Sequence, residues 1–343
     1  MKKTMLCFLL VLLCGCQSLP ASPIGSSQEE TQTLTLAIPE DSNELLREVA
    51  RELSRRTEDF SAYSLTVEIV EEENIWEVME EGSADLVLCG NRRALSDAVE
   101  VGQLELPAQP EEEGQLPILS YSGHAAMFAM LEYPYFFREG DCVIRGGNDP
   151  DVLDALNYSL PGNFPMELRR LSYSSCYHWV TNDIQALEEY QQENTPLDIL
   201  RGQLEKGISL LEPWGYLGDS EIYVREVNPV EDLADFSGDT LLLSAGRWNL
   251  LNFFSNRESI RQLSAKQQAA IEEAIIYSGG YAKGLADDEM EYALRKLKSD
   301  GVPMEEIDID DWYSAFQRLY HSGAYGVSEE LTDLLSEKVE RYH

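Results

Sequence analysis

Residues 34–89 alternate between short apolar segments with a period of two and longer segments with a helical period. The segments 34–38, 65–70 and 85–89 predict strands, and the segments between them predict amphipathic helices. Strict alternation of strands and helices is typical of α/β folds, in which the strands form a largely parallel sheet. This pattern therefore predicts an α/β fold for the first part of the chain.

Ligands in open α/β sheets bind beyond the carboxyl ends of the strands. The first predicted strand ends at Pro39-Glu40-Asp41, and the third ends at Gly90-Asn91-Arg92-Arg93. Parallel strands bring these two ends to the same edge of the sheet. These two segments are therefore the candidate ligand-binding ends of the sheet.

The length and charge of the chain limit what it can be. A chain of 343 residues predicts about two domains. Its 62 acidic and 26 basic residues give a net charge of −36, which repels phosphate backbones and argues against a nucleic-acid partner.

The first residues predict an export signal. Residues 1–15 combine two lysines with an apolar stretch too short to span a bilayer, which is typical of a signal peptide. Leu13-Cys14-Gly15-Cys16 resembles the bacterial lipobox, in which the last cysteine is acylated and becomes the mature N-terminus. The alternative is an ordinary signal peptide with an incidental cysteine. We expect Cys16 to be lipidated, residues 16–32 to be a flexible tether, and the protein to lie on the extracytoplasmic side of a bacterial cell membrane.

Cleavage before Cys16 would leave Cys89, Cys142 and Cys176 in the body of the protein. Three thiols allow at most one disulfide, so the chain does not have a disulfide framework. Whether any two of them pair stays open at this point.

Motifs for catalysis and metal binding are mostly absent from the sequence. It contains no phosphate-binding glycine loop, no HExxH, no paired CxxC and no GxSxG. The four histidines are scattered, and His178 attracts interest only because Tyr177 and Trp179 flank it. We therefore predict that the protein is not an enzyme and holds neither a cofactor nor a metal.

A long helix is predicted near the C-terminus. Ser264 and Gln267 match a capping box, and helical periodicity continues to Lys298. Gly279-Gly280 could introduce a bend, and Gly301 is placed to end the helix. We expect this helix to be the longest element and to contact both domains.

Several passages of the chain resemble, in the same order, motifs of one family of bacterial binding proteins. They are Glu80–Val87, Leu131–Arg138, Glu205–Ile208 with Glu212, Trp248, Leu263–Gln268 and Leu297–Val302. The family is that of the TRAP (tripartite ATP-independent periplasmic) transporter solute-binding proteins. The resemblance covers roughly residues 33–340, and each motif alone is weakly specific.

The resemblance implies a two-lobed, periplasmic-binding-protein-like (type II) fold with a long C-terminal helix spanning the lobes. Lobe 1 would comprise residues 33–140 and return with 260–343, and lobe 2 would comprise 141–259. A small molecule, usually an organic acid, would bind between the lobes and favour their closure. The implied function is a lipid-anchored solute-binding protein that delivers its ligand to a TRAP-type membrane permease. The alternatives are a binding lipoprotein with a sensing or partner-binding role and, ranked last, an exported hydrolase.

The chain departs from the family where an arginine usually binds the ligand carboxylate. Residues 186–194 and Ser175–Tyr177 contain no arginine, and Pro213 replaces a common asparagine. By position, the predicted ligand-binding residues are Asn91, Arg92, Tyr177, Trp179, Glu212 and Trp214. These segments offer aromatic rings and few cations, so a neutral or cationic ligand is as consistent with them as a carboxylate. The alternative is that the rings are ordinary core residues.

Overall fold

The computed structural model describes residues 31–105, 123–185, 224–231, 236, 239–321, 333–334 and 337–338. The strands in these ranges are β1 (Gln32–Pro39), β2 (Leu65–Glu72), β3 (Leu86–Gly90), β4 (Met166–Thr181), β5 (Val224–Val227), β6 (Thr240–Asn256) and β7 (Met304–Glu306). The helices are α1 (Glu44–Phe60), α2 (Ile75–Glu81), α3 (Asn91–Glu100), α4 (Ala126–Met130), α5 (Gly140–Arg145), α6 (Pro150–Ser159), α7 (Arg257–Gln262), α8 (Ala265–Ser299) and α9 (Asp310–His321).

The described strands form one mixed sheet in the order β2-β1-β3-β6-β4-β5, and β7 pairs with β6. β1 is parallel to both β2 and β3, as the alternating sequence pattern predicts. β6 runs antiparallel to both β3 and β4. The sheet therefore brings the carboxyl ends of β1 and β3 together at one edge.

β4 and β6 are much longer than the other strands, at 16 and 17 residues. The first half of β4 pairs with the second half of β6 beside β3, whereas its second half pairs with β5 and with the start of β6. Three register shifts interrupt the pairing of β4 with β6. Such irregularities bend paired strands and increase their local twist. The two strands connect the main hydrophobic core with a smaller cluster formed by Val180, Val227, Phe236, Leu241 and Leu297.

α8 is the longest element described, with 35 residues. Its predicted capping box is present: the Ser264 hydroxyl accepts from the Gln267 amide at 3.3 Å, and the Gln267 side chain accepts from the Ser264 amide at 3.0 Å. Gly301 follows the helix in the left-handed region at φ +86°, where glycine is favoured. Ile271 packs in the main core and Leu297 in the smaller cluster, so the helix spans both. No break separates its two halves.

The structure confirms the predicted fold class, a two-lobed α/β architecture with an open sheet and a long C-terminal helix. The residue boundaries predicted for the lobes stay a prediction. Cys89, Cys142 and Cys176 are free and buried. No helix in the described part of the chain is long and apolar enough to cross a membrane.

Candidate functional site

A cavity of about 450 Å³ lies at the edge of the sheet where β1 and β3 end. This is the edge at which the sequence predicts a site. The lining residues come from the end of β1 and the start of α1, from the end of β3 and the first half of α3, from the middle of β4 and β6, and from the residues after β5. They are Pro39, Asp41, Ser42, Asn43, Leu46, Gly90, Arg92, Arg93, Ser96, Ser174, Tyr177, Glu231, Asn249 and Leu251.

Two helices begin at this cavity. Asn43 caps α1, because its side-chain oxygen accepts from the Leu46 amide at 2.9 Å. The residue before α3 is Gly90, which has no side chain to cap the first amides of that helix. The partial positive charge of the α3 N-terminus therefore adds to the charge of Arg92 in its first turn.

Arg92 and Tyr177 meet across the cavity. The Arg92 Nη1 donates to the Tyr177 hydroxyl at 2.9 Å, and the guanidinium carbon lies 4.6 Å from the ring centroid. Burial raises the pKa of Tyr177, so the hydroxyl keeps its proton at neutral pH. Because the oxygen accepts from Arg92, its proton is directed elsewhere. The pair can thus present both a cation and a neutral O–H donor to a bound molecule.

Arg92 also contacts a buried carboxylate, that of Glu132. Glu132 Oε2 lies 3.6 Å from Arg92 Nε, and the Glu132 side chain is fully buried. Glu132 Oε1 accepts from the side-chain Nδ2 of Asn91 at 2.9 Å, and Asn91 Oδ1 in turn accepts from the side-chain Nδ2 of Asn252 at 2.8 Å. Asn91 is itself fully buried and does not line the cavity. Its described contacts place it as a support for Arg92.

The charges that line the cavity are mixed. Arg93 pairs with Asp41 at 2.6 Å and with Asp97 at 2.9 Å. Glu231 contributes a second carboxylate to the lining. Among the described residues that line the cavity, Arg92 is therefore the cation without an ion pair to another lining residue.

Trp179 lies in the hydrophobic core and is 3% exposed. Its ring packs edge-on against Tyr135 at a centroid distance of 6.0 Å, and it does not line the cavity. The structure therefore separates Trp179 from Arg92 and Tyr177, with which the sequence grouped it. Its predicted contact with a ligand stays a prediction. Glu212, Trp214 and Cys16 lie outside the described residues.

His178 is a buried, neutral residue. Its Nδ1 accepts from the Ala245 amide at 3.1 Å, which assigns the ring proton to Nε2. Burial lowers its pKa to about 4, so it is uncharged at neutral pH. It lies on β4 and links this strand to β6 through the Ala245 amide.

The sequence did not single out the most deeply buried ion pair among the described residues. Arg247 on β6 and Glu226 on β5 pair through side chains that are both 0% exposed. Arg247 Nη1 also donates to the Glu132 backbone carbonyl at 3.5 Å, and its guanidinium lies 5.5 Å from the Tyr177 ring. The pair thus connects β5 and β6 with Glu132, whose side chain contacts Arg92. A single cation within an apolar strand was the signal available in the sequence.

Within the described ranges, no group of three or more His, Cys, Asp or Glu side chains is arranged to hold a metal ion. The cavity instead offers the Arg92–Tyr177 pair, two helix N-termini and mixed charge. This arrangement is suited to holding a small polar molecule.

No protein-family model and no curated protein matches the sequence. Solved structures do match. A TRAP periplasmic solute binding protein from Rhodobacter sphaeroides, in an apo open form, aligns over 91% of this chain and 100% of its own, with 12% identity and a TM-score of 0.66. The chain has the fold of TRAP solute-binding proteins.

Two further solved structures show the same fold. The ectoine binding protein TeaA of the TeaABC TRAP transporter aligns over 91% of this chain and 100% of its own, with 12% identity and a TM-score of 0.63. A TRAP periplasmic solute binding protein from Desulfovibrio desulfuricans with bound sn-glycerol-3-phosphate aligns over 90% and 97%, with 13% identity and a TM-score of 0.58. At these identities the likeness concerns the fold.

Proposed function

We propose that this protein is a non-enzymatic, lipid-anchored solute-binding protein on the extracytoplasmic side of the cell membrane. It captures a small molecule at the cavity lined by Arg92 and Tyr177 and delivers it to a TRAP-type permease. The observation that carries the proposal is the position of this cavity at the shared carboxyl edge of β1 and β3. The fold shared with TRAP solute-binding proteins supports it.

The ligand in this proposal is a small polar molecule with at least one hydrogen-bond acceptor. Arg92 and the Tyr177 hydroxyl donate to that acceptor, and the α3 N-terminus favours partial negative charge on it. Asp41 and Glu231 place negative charge in the same cavity, so a strongly anionic ligand is disfavoured. A net-neutral molecule, including one that carries both charges, fits this lining.

A second candidate is a binding lipoprotein of the same fold that senses a ligand without transporting it. The absence of arginine from Ser175–Tyr177, where the family resemblance implies one, favours this candidate. A gene for a multi-span permease beside the gene for this protein would favour transport.

The exported hydrolase that the sequence left as a third alternative gains no support. It needs two convergent carboxyl groups with separated pKa values. Among the described carboxyl groups, burial raises the pKa of Asp97 and that of Glu289. These two residues lie on different helices, α3 and α8, and Asp97 is paired with Arg93.

A thermal-shift screen with organic acids, sugars, amino acids and other zwitterions tests the proposal, since a ligand that binds only the folded state raises the melting temperature. Tyr177→Phe keeps the ring beneath Arg92 and removes one hydroxyl. We expect it to weaken ligand binding about fivefold, the worth of one hydrogen bond of ~1 kcal/mol, with little change in the ligand-free melting temperature.

Tyr158→Phe is the matched control, because it removes the same hydroxyl from a side chain that is 92% exposed. It should bind the ligand as the wild type does. Trp179→Ala should lower the ligand-free stability by about 3–5 kcal/mol, as an aromatic side chain deleted from a core does. Equal affinity of the wild type and of Tyr177→Phe and Arg92→Gln would contradict a site at this cavity.

A further inference from the structure

Glu132 lies close to the ligand cavity without lining it. Its side chain is 0% exposed, and its Oε2 lies 3.6 Å from Arg92 Nε. This separation is longer than a hydrogen bond, so the contact between the two side chains is electrostatic. Glu132 follows α4 and belongs to the passage Leu131–Arg138 that the sequence analysis singled out. The passage therefore places an acidic side chain beside the cation of the candidate site.

The position of Glu132 is fixed by its own hydrogen bonds. Its Oε1 accepts from Asn91 Nδ2 at 2.9 Å, and its backbone amide donates to the Ala129 carbonyl at 3.1 Å. Its backbone carbonyl accepts from Arg247 Nη1 at 3.5 Å. The two side-chain oxygens thus face N–H groups of Asn91 and Arg92, an environment that suits a carboxylate because this group only accepts.

Arg92 and Arg93 both line the cavity, but their charges are compensated differently. Arg93 pairs with the buried Asp97 at 2.9 Å and also with Asp41 of the lining at 2.6 Å. Within the described ranges, the acidic residue paired with Arg92 is Glu132. Loss of Asp97 would therefore leave Arg93 one acidic partner, whereas loss of Glu132 would leave the charge of Arg92 uncompensated.

The guanidinium of Arg92 is partly exposed and partly embedded in the protein. The Arg92 side chain is 23% exposed, and its Nη1 donates to the Tyr177 hydroxyl. Its Nε and Nη2 are buried and make no hydrogen bond with any described residue. Arg247, whose guanidinium also lies near the Tyr177 ring, is paired with Glu226 and adds little net charge. The charge that Arg92 presents to the cavity therefore depends on Glu132.

We propose that Glu132 determines the charge selectivity of the ligand cavity, so that a net-neutral molecule is preferred over an anion of the same shape. An anion at Arg92 is attracted by the guanidinium and repelled by the carboxylate of Glu132, so part of the attraction cancels. A neutral acceptor keeps its hydrogen bonds from Arg92 and Tyr177. The selectivity thus comes from repulsion by a residue that the ligand does not touch. This inference rests on the proposed function, solute binding at this cavity.

Pairs of probes that differ by one charge test the role of Glu132. Suitable pairs are glutamate with glutamine, lactate with lactamide, and glucuronate with glucuronamide, in each of which an amide replaces one carboxylate. Thermal-shift titration at constant ionic strength gives the affinity for each probe. Glu132→Gln keeps an oxygen for Asn91 and removes the charge. We expect it to raise the affinity for the anion relative to the amide roughly 30-fold in at least one pair.

Two further variants of Glu132 make the test independent of a single substitution. Glu132→Met removes the same charge with a side chain of similar size and should shift the ratio in the same direction. Glu132→Asp keeps the charge and should keep the ratio of the wild type. Glu132→Gln combined with Arg92→Gln should lose the gain in anion affinity, because the gain acts through the guanidinium of Arg92.

The matched control is Glu289→Gln, the same substitution at a half-buried residue of α8 that does not line the cavity. It should leave the ratio unchanged. Asp97→Asn should shift the ratio less than Glu132→Gln does, because Arg93 keeps Asp41. An unchanged ratio for every pair in folded Glu132→Gln and Glu132→Met proteins would overturn the proposal. So would an equal shift in Asp97→Asn, or a gain that persists without Arg92.

The charge selectivity and the proposed function fail in different experiments. If Tyr177→Phe weakens the binding of a ligand while Glu132→Gln leaves every anion-to-amide ratio unchanged, solute binding stands and the role of Glu132 is contradicted. If Glu132→Gln gains anion binding through Arg92 while the wild type binds nothing in the full screen, the role of Glu132 stands and the solute binding is contradicted.

Discussion

Arg247 and Glu226 place two opposite charges in the interior, bridging β6 and β5 across β4. Truncating one partner would leave the other charge buried without compensation. We expect Arg247→Met to lower the free energy of unfolding by about 3–5 kcal/mol, measured by urea denaturation. Arg247→Met with Glu226→Met should recover most of that loss, because both desolvated charges are then gone. A single variant as stable as the wild type would be inconsistent with this account.

His178 predicts a specific dependence of stability on pH. The unfolded imidazole gains a proton near its ordinary pKa of 6.5, whereas burial lowers the pKa of the folded imidazole to about 4. Between these values the unfolded state binds more protons, so stability is full above pH 6.5 and falls as the pH falls. From pH 7 to pH 5 the wild type should lose about 2 kcal/mol more than His178→Asn, which keeps an acceptor for the Ala245 amide. Parallel stability profiles of the two proteins would contradict the lowered pKa.

At the residue scale, the sequence predicted two of the residues that line the candidate site, Arg92 and Tyr177. Arg92 follows directly from the rule that sites lie beyond strand ends, and Tyr177 from the family resemblance. Trp179 was grouped with Tyr177 because both fall in a segment that corresponds by position to a ligand-facing segment of the family. A register shift lies between these two residues in the pairing of β4 with β6, and no local sequence pattern indicates it. The partner of Arg247 could not be predicted because the two residues meet only through pairing of distant strands.

The helix α8 was the most predictable element. Its cap, its periodicity and the glycine that follows it are all local features, and the structure contains each of them. The helix continues through Gly279 and Gly280, and a bend at these residues stays a prediction. Gly279 allows β4 to approach closely: its backbone carbonyl accepts from the Ser172 hydroxyl on β4 at 2.8 Å.

The two adjacent glycines of α8 provide a matched pair of substitutions. A Cβ at Gly279 would lie 2.4 Å from Arg170 Nε, whereas a Cβ at Gly280 would have no neighbour within 4 Å. Gly279→Ala should therefore destabilise the protein by about 1–3 kcal/mol through overpacking. Gly280→Ala should stabilise it by about 0.5–1 kcal/mol, because alanine favours the helix and restricts the unfolded chain. Urea denaturation of both variants measures the difference, and effects of the same sign would refute the close contact with β4.

β6 was only partly predictable. The sequence indicated a strand at Leu241–Leu243, but the strand continues to Asn256. Its second half contains Asn249 and Asn252, which interrupt the apolar pattern. Asn252 is nevertheless fully buried, because it donates to Asn91. Buried polar residues whose hydrogen-bond partners are distant in sequence interrupt the apolar pattern, so periodicity alone does not predict such a strand.

For the whole molecule, the α/β class was evident from the first 90 residues, whereas the two-lobed arrangement came from the family resemblance. Composition and periodicity give no boundary between the lobes, because β4, β6 and α8 run through both hydrophobic clusters. Such continuous elements carry no linker composition that would mark a boundary.

Anchoring is a prediction about the whole molecule. Cys16→Ala should move the protein from the membrane fraction to the soluble fraction, because a diacylated cysteine is the attachment in our proposal and two acyl chains bind firmly. Fractionation followed by a high-salt wash measures this, and Cys142→Ala, which changes a buried free cysteine, is the control. A Cys16→Ala protein that still sediments with washed membranes would contradict lipid anchoring.

The three buried thiols, Cys89, Cys142 and Cys176, can report where the fold opens locally, because a reagent reaches each of them only when its surroundings open. Burial raises the pKa of Cys176 to about 12 and also raises that of Cys89 and of Cys142, so each is both shielded and unreactive while its surroundings stay closed. They lie on β4, β3 and α5, in three separate parts of the fold. The order in which an alkylating reagent modifies them therefore ranks those parts by how often each opens.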